Sequence, residues 1–218
     1  MKIAILGSGN VGKALATGLD SLNHEVYVGT RDVAETLTRD EIKDWASSHP
    51  TIRVTSFADA VAAAELVINA ISGHSTISVL QSVGADNLSH KVLIDISNPL
   101  DFSNGMPPQL FVKDTDSLAE MIQREYPNAK VVKTLNTVNS ASMIPALTPG
   151  KPEFTVFLSG DDPHAKSTVT EILRSFGHTD IIDLGGIITA RTTEMALPLW
   201  MSIAGKLDSW GINFKIVR

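Results

Sequence analysis

Cysteine does not occur anywhere in the 218 residues. Its absence excludes disulfides, thiolate metal sites and cysteine nucleophiles, and it fits a reducing, cytoplasmic setting. Charge is sparse as well: charged residues make up 19% of the chain and the net charge is −6. That balance argues against a general nucleic-acid or anionic-membrane partner. Any anionic ligand must then be held by local donors: helix N-termini, loop amides or single cations. Long hydrophobic runs are missing too. Ile3 to Leu6 is too short for a signal-peptide core. Met195 to Ala204 is interrupted by Pro198 and Ser202 and falls short of the roughly 20 residues a membrane helix needs. A soluble intracellular protein is the expectation. The six histidines are scattered and form no H-x-x-x-H pair, and neither G-x-S-x-G nor a P-loop is found. No metal site is expected and no catalytic acid or base is assigned.

What is present is a core-forming chain, 43% hydrophobic, whose first 96 residues alternate short β-rich runs with helical stretches. Strands are expected at Ile3–Leu6, Glu25–Gly29, Ile52–Val54, Leu66–Ala70 and Val92–Ile96. Helices are expected at Val11–Leu22, Thr36–Ser47, Ser56–Ala64 and Thr76–Gln81. After a Pro-, Gly- and Asn-rich loop to Pro108 follow a helix at Ser117–Arg124 and strands at Lys130–Leu135 and Phe154–Leu158. A capped helix at Asp162–Phe176 and a strand at Thr179–Leu184 complete the sheet. Continuous apolar strands alternating with helices imply a doubly wound, mostly parallel α/β sheet. Residues 1–186 are expected to form it. Residues 187–218 form a small helical extension packed on it: a helix at 188–208 kinked by Pro198, then an edge strand at Asn213–Val217. Leu197, Leu199, Trp200, Met201 and Ile203 in that extension predict a homodimer. Arg191 and Glu194, one turn apart, either face a cleft or form a surface ion pair.

The first strand runs directly into Gly7-Ser8-Gly9-Asn10-Val11-Gly12, a G-x-G-x-x-G turn that opens a helix. In the Rossmann fold such a turn binds the diphosphate of a dinucleotide. Gly7 permits the turn, Gly9 lets the diphosphate approach the backbone, and Gly12 lets the helix pack on the strand. The second strand ends in Val28-Gly29-Thr30-Arg31-Asp32. An NAD site has a carboxylate there for the ribose 2′-hydroxyl. Here Thr30 and Arg31 present a hydroxyl and a guanidinium, which suit the 2′-phosphate of NADP(H), and Asp32 is read as the cap of the next helix. In open α/β sheets the ligand lies beyond the carboxyl ends of the strands. The segments there are Ile71-Ser72-Gly73-His74-Ser75, Ser97-Asn98-Pro99-Leu100 and Asn136-Thr137-Val138-Asn139, which are expected to open on one crevice and hold ribose, diphosphate and the nicotinamide carboxamide. His74 and Thr137 stand nearest to a proton-transfer role.

Taken together, Ile3 to Gly12, Val28 to Arg31, Ile94 to Leu100, Val131 to Thr137 and Phe157 to Asp162 resemble the NADPH-dependent deazaflavin (coenzyme F420) reductases. They also resemble the related oxidoreductase domain of the membrane metalloreductases. The resemblance implies direct hydride transfer between NADP(H) and a deazaflavin, flavin or similar ring as the redox acceptor, stacked in a cleft between the sheet and the C-terminal helix. Such transfer relies on proximity and orientation. Two other readings remain open on the residues. One is a reductase of a small imine or carbonyl compound, resembling pyrroline-carboxylate reductases, with Thr137, Ser72 or His74 as proton donor. The other is a non-catalytic NADP-binding sensor or scaffold.

Overall fold

The computed structural model describes residues 1–147 and 153–218. The first half runs β1 (Lys2–Leu6), α1 (Asn10–Ser21), β2 (Glu25–Thr30), α2 (Val33–Thr38), α3 (Asp40–Ser48), β3 (Arg53–Ser56), α4 (Phe57–Ala63), β4 (Leu66–Asn69), α5 (Gly73–Val83), α6 (Ala85–Leu88) and β5 (Val92–Asp95). The second half runs β6 (Leu100–Asp101), β7 (Gln109–Leu110), α7 (Leu118–Glu125), β8 (Lys130–Thr134), β9 (Thr155–Gly160), α8 (Pro163–Ser175), β10 (Asp180–Asp183), α9 (Ala190–Met195) and α10 (Leu197–Leu207). None of the described helices is long and apolar enough to cross a membrane.

The strands join in one eight-stranded sheet of order β10-β9-β8-β5-β4-β1-β2-β3. Every pairing is parallel except β8 with β9. Parallel strands covered on both faces read as unbroken apolar runs, and Ile3, Ala4, Ile5 and Leu6 are all fully buried. Two cores result. Ile3, Ile5, Val26, Ile68 and Val132 pack with α1 and α8 on one face; Ala4, Leu6, Val67, Leu93 and Val131 pack with α4, α5 and α7 on the other. The chain moves outward from β1 to β3 and returns to the other side of β1 as β4. Between β1 and β4 the strand order reverses, and there an open α/β sheet leaves a crevice.

Local chemistry sets the element ends. Asp32, Ser56, Ser117 and Asp162 cap α2, α4, α7 and α8 by accepting the backbone N–H three residues on, as side chains at N-caps do. Four expectations need correction. The helix expected over 36–47 is two, because Arg39 takes an extended conformation (φ −72°, ψ 122°) between α2 and α3. The helix expected over 188–208 is a 3-10 turn, α9 and α10, separated at Ala196 just before Leu197 and Pro198. The edge strand expected at 213–217 forms no ladder; the segment is tied to β9 at Thr155, whose N–H donates to Phe214 O and whose hydroxyl accepts from Ile216 N. The loop after Pro99 contains the short hairpin β6–β7. Of the apolar residues expected on one surface, Leu197 and Trp200 are buried while Leu199 and Ile203 are exposed.

Candidate functional site: a dinucleotide cleft at the switch point

The three glycines of the first turn do different work. Gly7 has φ +116°, and a Cβ there would lie 2.8 Å from Ala70 O, so it permits both the turn and the contact of the β1 and β4 loops. A Cβ on Gly12 would lie 1.9 Å from Gly7 O, so α1 seats on the turn only because that atom is missing. A Cβ on Gly9 would meet nothing within 4 Å. The space it leaves opens outward at the N-terminus of α1, where Gly9 is the N-cap and makes no side-chain cap bond. Free amides and the positive end of the helix dipole there suit a diphosphate.

From this turn a cleft of about 450 Å³ extends along the β2 end, lined by Gly7, Ser8, Gly9, Thr30, Arg31, Arg39 and, from the β4 loop, Ile71 and Ser72. Thr30 is buried, its hydroxyl 2.7 Å from that of Thr36, which in turn accepts from Arg39 Nη2 at 2.8 Å. Arg31 and Arg39 are both exposed. Arg39 was not anticipated from the sequence: only the break between α2 and α3 brings it to the cleft. Asp32 also lines the cleft, and one of its carboxylate oxygens accepts the cap bond from Glu35 N.

Beyond the turn the cleft residues Ala70, Ile71 and Ser72 are shared with a second cavity of about 340 Å³. Val11, Gly73, His74, Ile96, Ser97, Asn98, Leu100 and Phe102 complete its wall. Gly73 has a steric reason here, because a Cβ would lie 2.1 Å from Asn98 O. His74 is exposed, its ring 4.5 Å from that of Phe111 at the cavity mouth. Pro99 is buried.

The three expected loops do not all open on this cavity. Asn136 is buried, donates to Asn98 Oδ1 at 3.0 Å and to Thr193 O at 3.1 Å, and its carbonyl accepts from Asn98 Nδ2 at 2.9 Å. The pair ties the β5 loop to the β8 loop and to α9. Thr137 lines a different, apolar cavity of about 260 Å³ with Phe157, Leu184, Thr193, Phe214 and Ile216.

Beneath the site lies an ionic ladder that sequence reasoning did not assemble. Asn69, Asp95 and Lys133 sit in register across β4, β5 and β8. Lys133 and Asp95 are buried, with Lys133 Nζ 2.8 Å from Asp95 Oδ2 and 2.8 Å from Glu194 Oε1. Burial opposes the Lys133 charge, but the two carboxylates outweigh it and its pKa is raised. Glu194 also accepts from Leu118 N and Ala119 N at the start of α7. Neither expectation for Arg191 and Glu194 holds: Arg191 pairs with Glu120 at 2.6 Å, and Glu194 is core.

A doubly wound sheet with a glycine-rich turn at its switch point is a Rossmann-type fold, and the relatives it matches place it among the NADP-dependent oxidoreductases. The family model for NADP oxidoreductases that depend on coenzyme F420 matches residues 2–99. A crystal structure from Arthrobacter sp. FB24 that carries the F420-dependent NADP-reductase name is 51% identical, covers both chains completely and superposes with a TM-score of 0.97. The F420-dependent NADP reductase of Methanothermobacter marburgensis is 27% identical, over 98% of this chain and 97% of its own. Metalloreductase STEAP3 of Rattus norvegicus is 30% identical over 97% of this chain, which spans only 38% of that longer protein. The chain belongs to the F420-dependent NADP oxidoreductase family.

Proposed function

We propose that the chain transfers hydride between NADP(H) and a flat ring acceptor, a deazaflavin, a flavin or a close analogue. NADP(H) supplies the two-electron hydride chemistry. The protein binds and orients both partners and keeps water out. In this reading the amides at the start of α1 and the Gly7–Gly12 turn hold the diphosphate. Thr30, Arg31 and Arg39 hold the 2′-phosphate. Ile71, Ser72, Gly73 and Asn98 line the nicotinamide chamber.

The observation that carries the reading is the continuity of the charged cleft with a mostly apolar chamber through Ala70, Ile71 and Ser72. One ligand with an anionic end and a neutral ring fills both. The chamber is flanked by the exposed rings of Phe102 and Phe111, on which a second planar ring can stack. This favours the β6–β7 side for the acceptor rather than the cavity next to α9. Leu199, Ile203 and Leu207 form an exposed i, i+4, i+8 stripe on α10 beside exposed Trp210, and in the same reading they join two copies in a homodimer in the cytoplasm.

The test is an acceptor screen that follows NADPH oxidation with a deazaflavin, free flavins and small cyclic imines. Turnover with a ring acceptor, lost in Phe102→Ala, supports the proposal. Turnover confined to imines, or NADPH binding without turnover on any acceptor, contradicts it. Sedimentation at micromolar concentration should give a dimer, and Leu199→Glu should give a monomer.

A further inference from the structure

One transverse row of the sheet changes character along its length. Reading across the strands in register, it passes Gly29, Leu6, Asn69, Asp95 and Lys133. On the β2 and β1 side it holds glycine and leucine; from β4 onward it is a hydrogen-bonded and ionic ladder. Each residue of the ladder sits at or next to the end of its strand, and the chain then enters a loop of the site. Asn69 Oδ1 accepts from Ile71 N at 3.3 Å. Asp95 Oδ1 accepts from Ser97 Oγ at 2.7 Å, from Ser97 N at 3.2 Å and from Asn69 Nδ2 at 2.8 Å. Lys133 Nζ donates to Ser97 O at 2.5 Å as well as to Asp95. Ile71 and Ser97, the loop residues so fixed, both line the second cavity.

We propose that Lys133 is a positioning residue for the nicotinamide half of the dinucleotide: by gathering Asp95, Glu194 and the Ser97 carbonyl on one ammonium, it sets the spacing of the loops that follow β4 and β5. A buried lysine serves this purpose because its three donors all need acceptors at fixed places. Once desolvated, each of those acceptors is held in turn. Lys133 Nζ has such partners: Asp95, Glu194 and Ser97 O. Glu194 brings α9 and the start of α7 into the same arrangement. The adenosine half stands apart from it. Thr30, Arg31 and Arg39 lie beyond β1 and β2, where the row carries Leu6 and Gly29 in place of polar side chains. Of the loop residues so fixed, Ile71 is shared with the first cleft and Ser97 lines only the second cavity, so Lys133 acts mainly on the nicotinamide half.

The inference rests on the dinucleotide reading, and its test separates the two. The full chain and its Lys133→Met variant are titrated with NADPH and with adenosine 2′,5′-bisphosphate, which presents only the adenosine half. The wild type should bind both. In Lys133→Met, NADPH affinity should fall about 10–100-fold, as displacement of positioned groups does, while the bisphosphate stays within about twofold. A general loss of structure would weaken both probes together. Glu194→Gln, which keeps an acceptor for α7, serves as the milder variant if Lys133→Met does not fold, and it should show the same split at smaller size. Equal losses for the two probes, or unchanged NADPH binding in both variants, would overturn the proposal. A wild type that fails to bind the bisphosphate would overturn the dinucleotide reading, and the inference with it.

Discussion

The two halves of the cleft are built on different physical terms. The half beyond β2 relies on solvated cations: Arg31 and Arg39 are exposed, and the Thr30–Thr36 hydroxyl pair beneath them is buried. The half beyond β4 and β5 rests on charges from which water is excluded, with Lys133 and Glu194 each 1% exposed and Asp95 fully buried. Exposed charges cost little to place and can be changed without disturbing the fold. Buried ones are tied to it, because removing one partner leaves the others desolvated and unpaired. One half is therefore free to choose its ligand, and the other is bound up with stability.

The largest expected effect breaks the comparison at its buried end. Lys133→Met leaves Asp95 and Glu194 without their shared cation and should lower unfolding free energy by about 3–5 kcal/mol in denaturant titrations. Arg31→Ala should change it by less than about 0.5 kcal/mol. Equal effects would erase the distinction between the halves.

A medium effect separates glycines required by the fold from Gly9, which the proposed function sets against the diphosphate. Gly12→Ala forces a Cβ against Gly7 O and should cost about 1–3 kcal/mol, an overpacking penalty. Gly9→Ala meets open space, so its melting temperature should hold while NADPH affinity falls. Unchanged affinity in Gly9→Ala would remove the diphosphate from the turn.

The smallest effect lies away from both halves, at the segment beside β9. Asp180 accepts from the Thr155 hydroxyl at 2.6 Å and pairs with Lys215 and Arg218. These contacts lower its pKa from 3.8 to about 2. A depressed carboxylate contributes stability that is present above its ordinary pKa and lost as pH falls through the lowered value. Protection of the Ile216 amide from hydrogen exchange should therefore persist from pH 7 to about pH 4 and decline only below that. Asp180→Asn should weaken it throughout and flatten the acid dependence.

Much of this was legible in the sequence, for reasons that differ by residue. Apolar strand runs with glycine at residues 7, 9 and 12 read directly as a strand, a turn and a helix. Asp32 and Asp162 read as caps because an Asp at the opening of a helical stretch suits an N-cap, although the helix after Asp32 starts at Val33, earlier than the Thr36 expected. The β2 terminus showed a guanidinium where a carboxylate would mark the other dinucleotide. Arg39 is hidden because nothing in the sequence marks the break between α2 and α3 that it occupies. The place of Asn136 after β8 is legible in the sequence, but its hydrogen bonds to Asn98 and Thr193 depend on the fold. The ladder has a partial signal in the sequence: Asn69 and Asp95 are polar residues ending otherwise apolar runs, whereas Lys133 stands in a mixed run with Lys130 and Thr134. Register is what turns them into one structure, and register is a property of the sheet. Glu194 had no comparable sign, since its partners lie 61 and more residues away in the chain.

The central claim is that the cleft beyond β2 recognises a 2′-phosphate. It is tested most directly by titrating NADPH and NADH side by side into the wild type and into an Arg31→Ala/Arg39→Ala variant. Charge-assisted hydrogen bonds of about 1.5–3 kcal/mol predict a wild-type preference for NADPH of about 10–100-fold, reduced to near unity in the variant with NADH affinity unchanged. Equal affinities in the wild type, or a preference that survives the loss of both arginines, would contradict it.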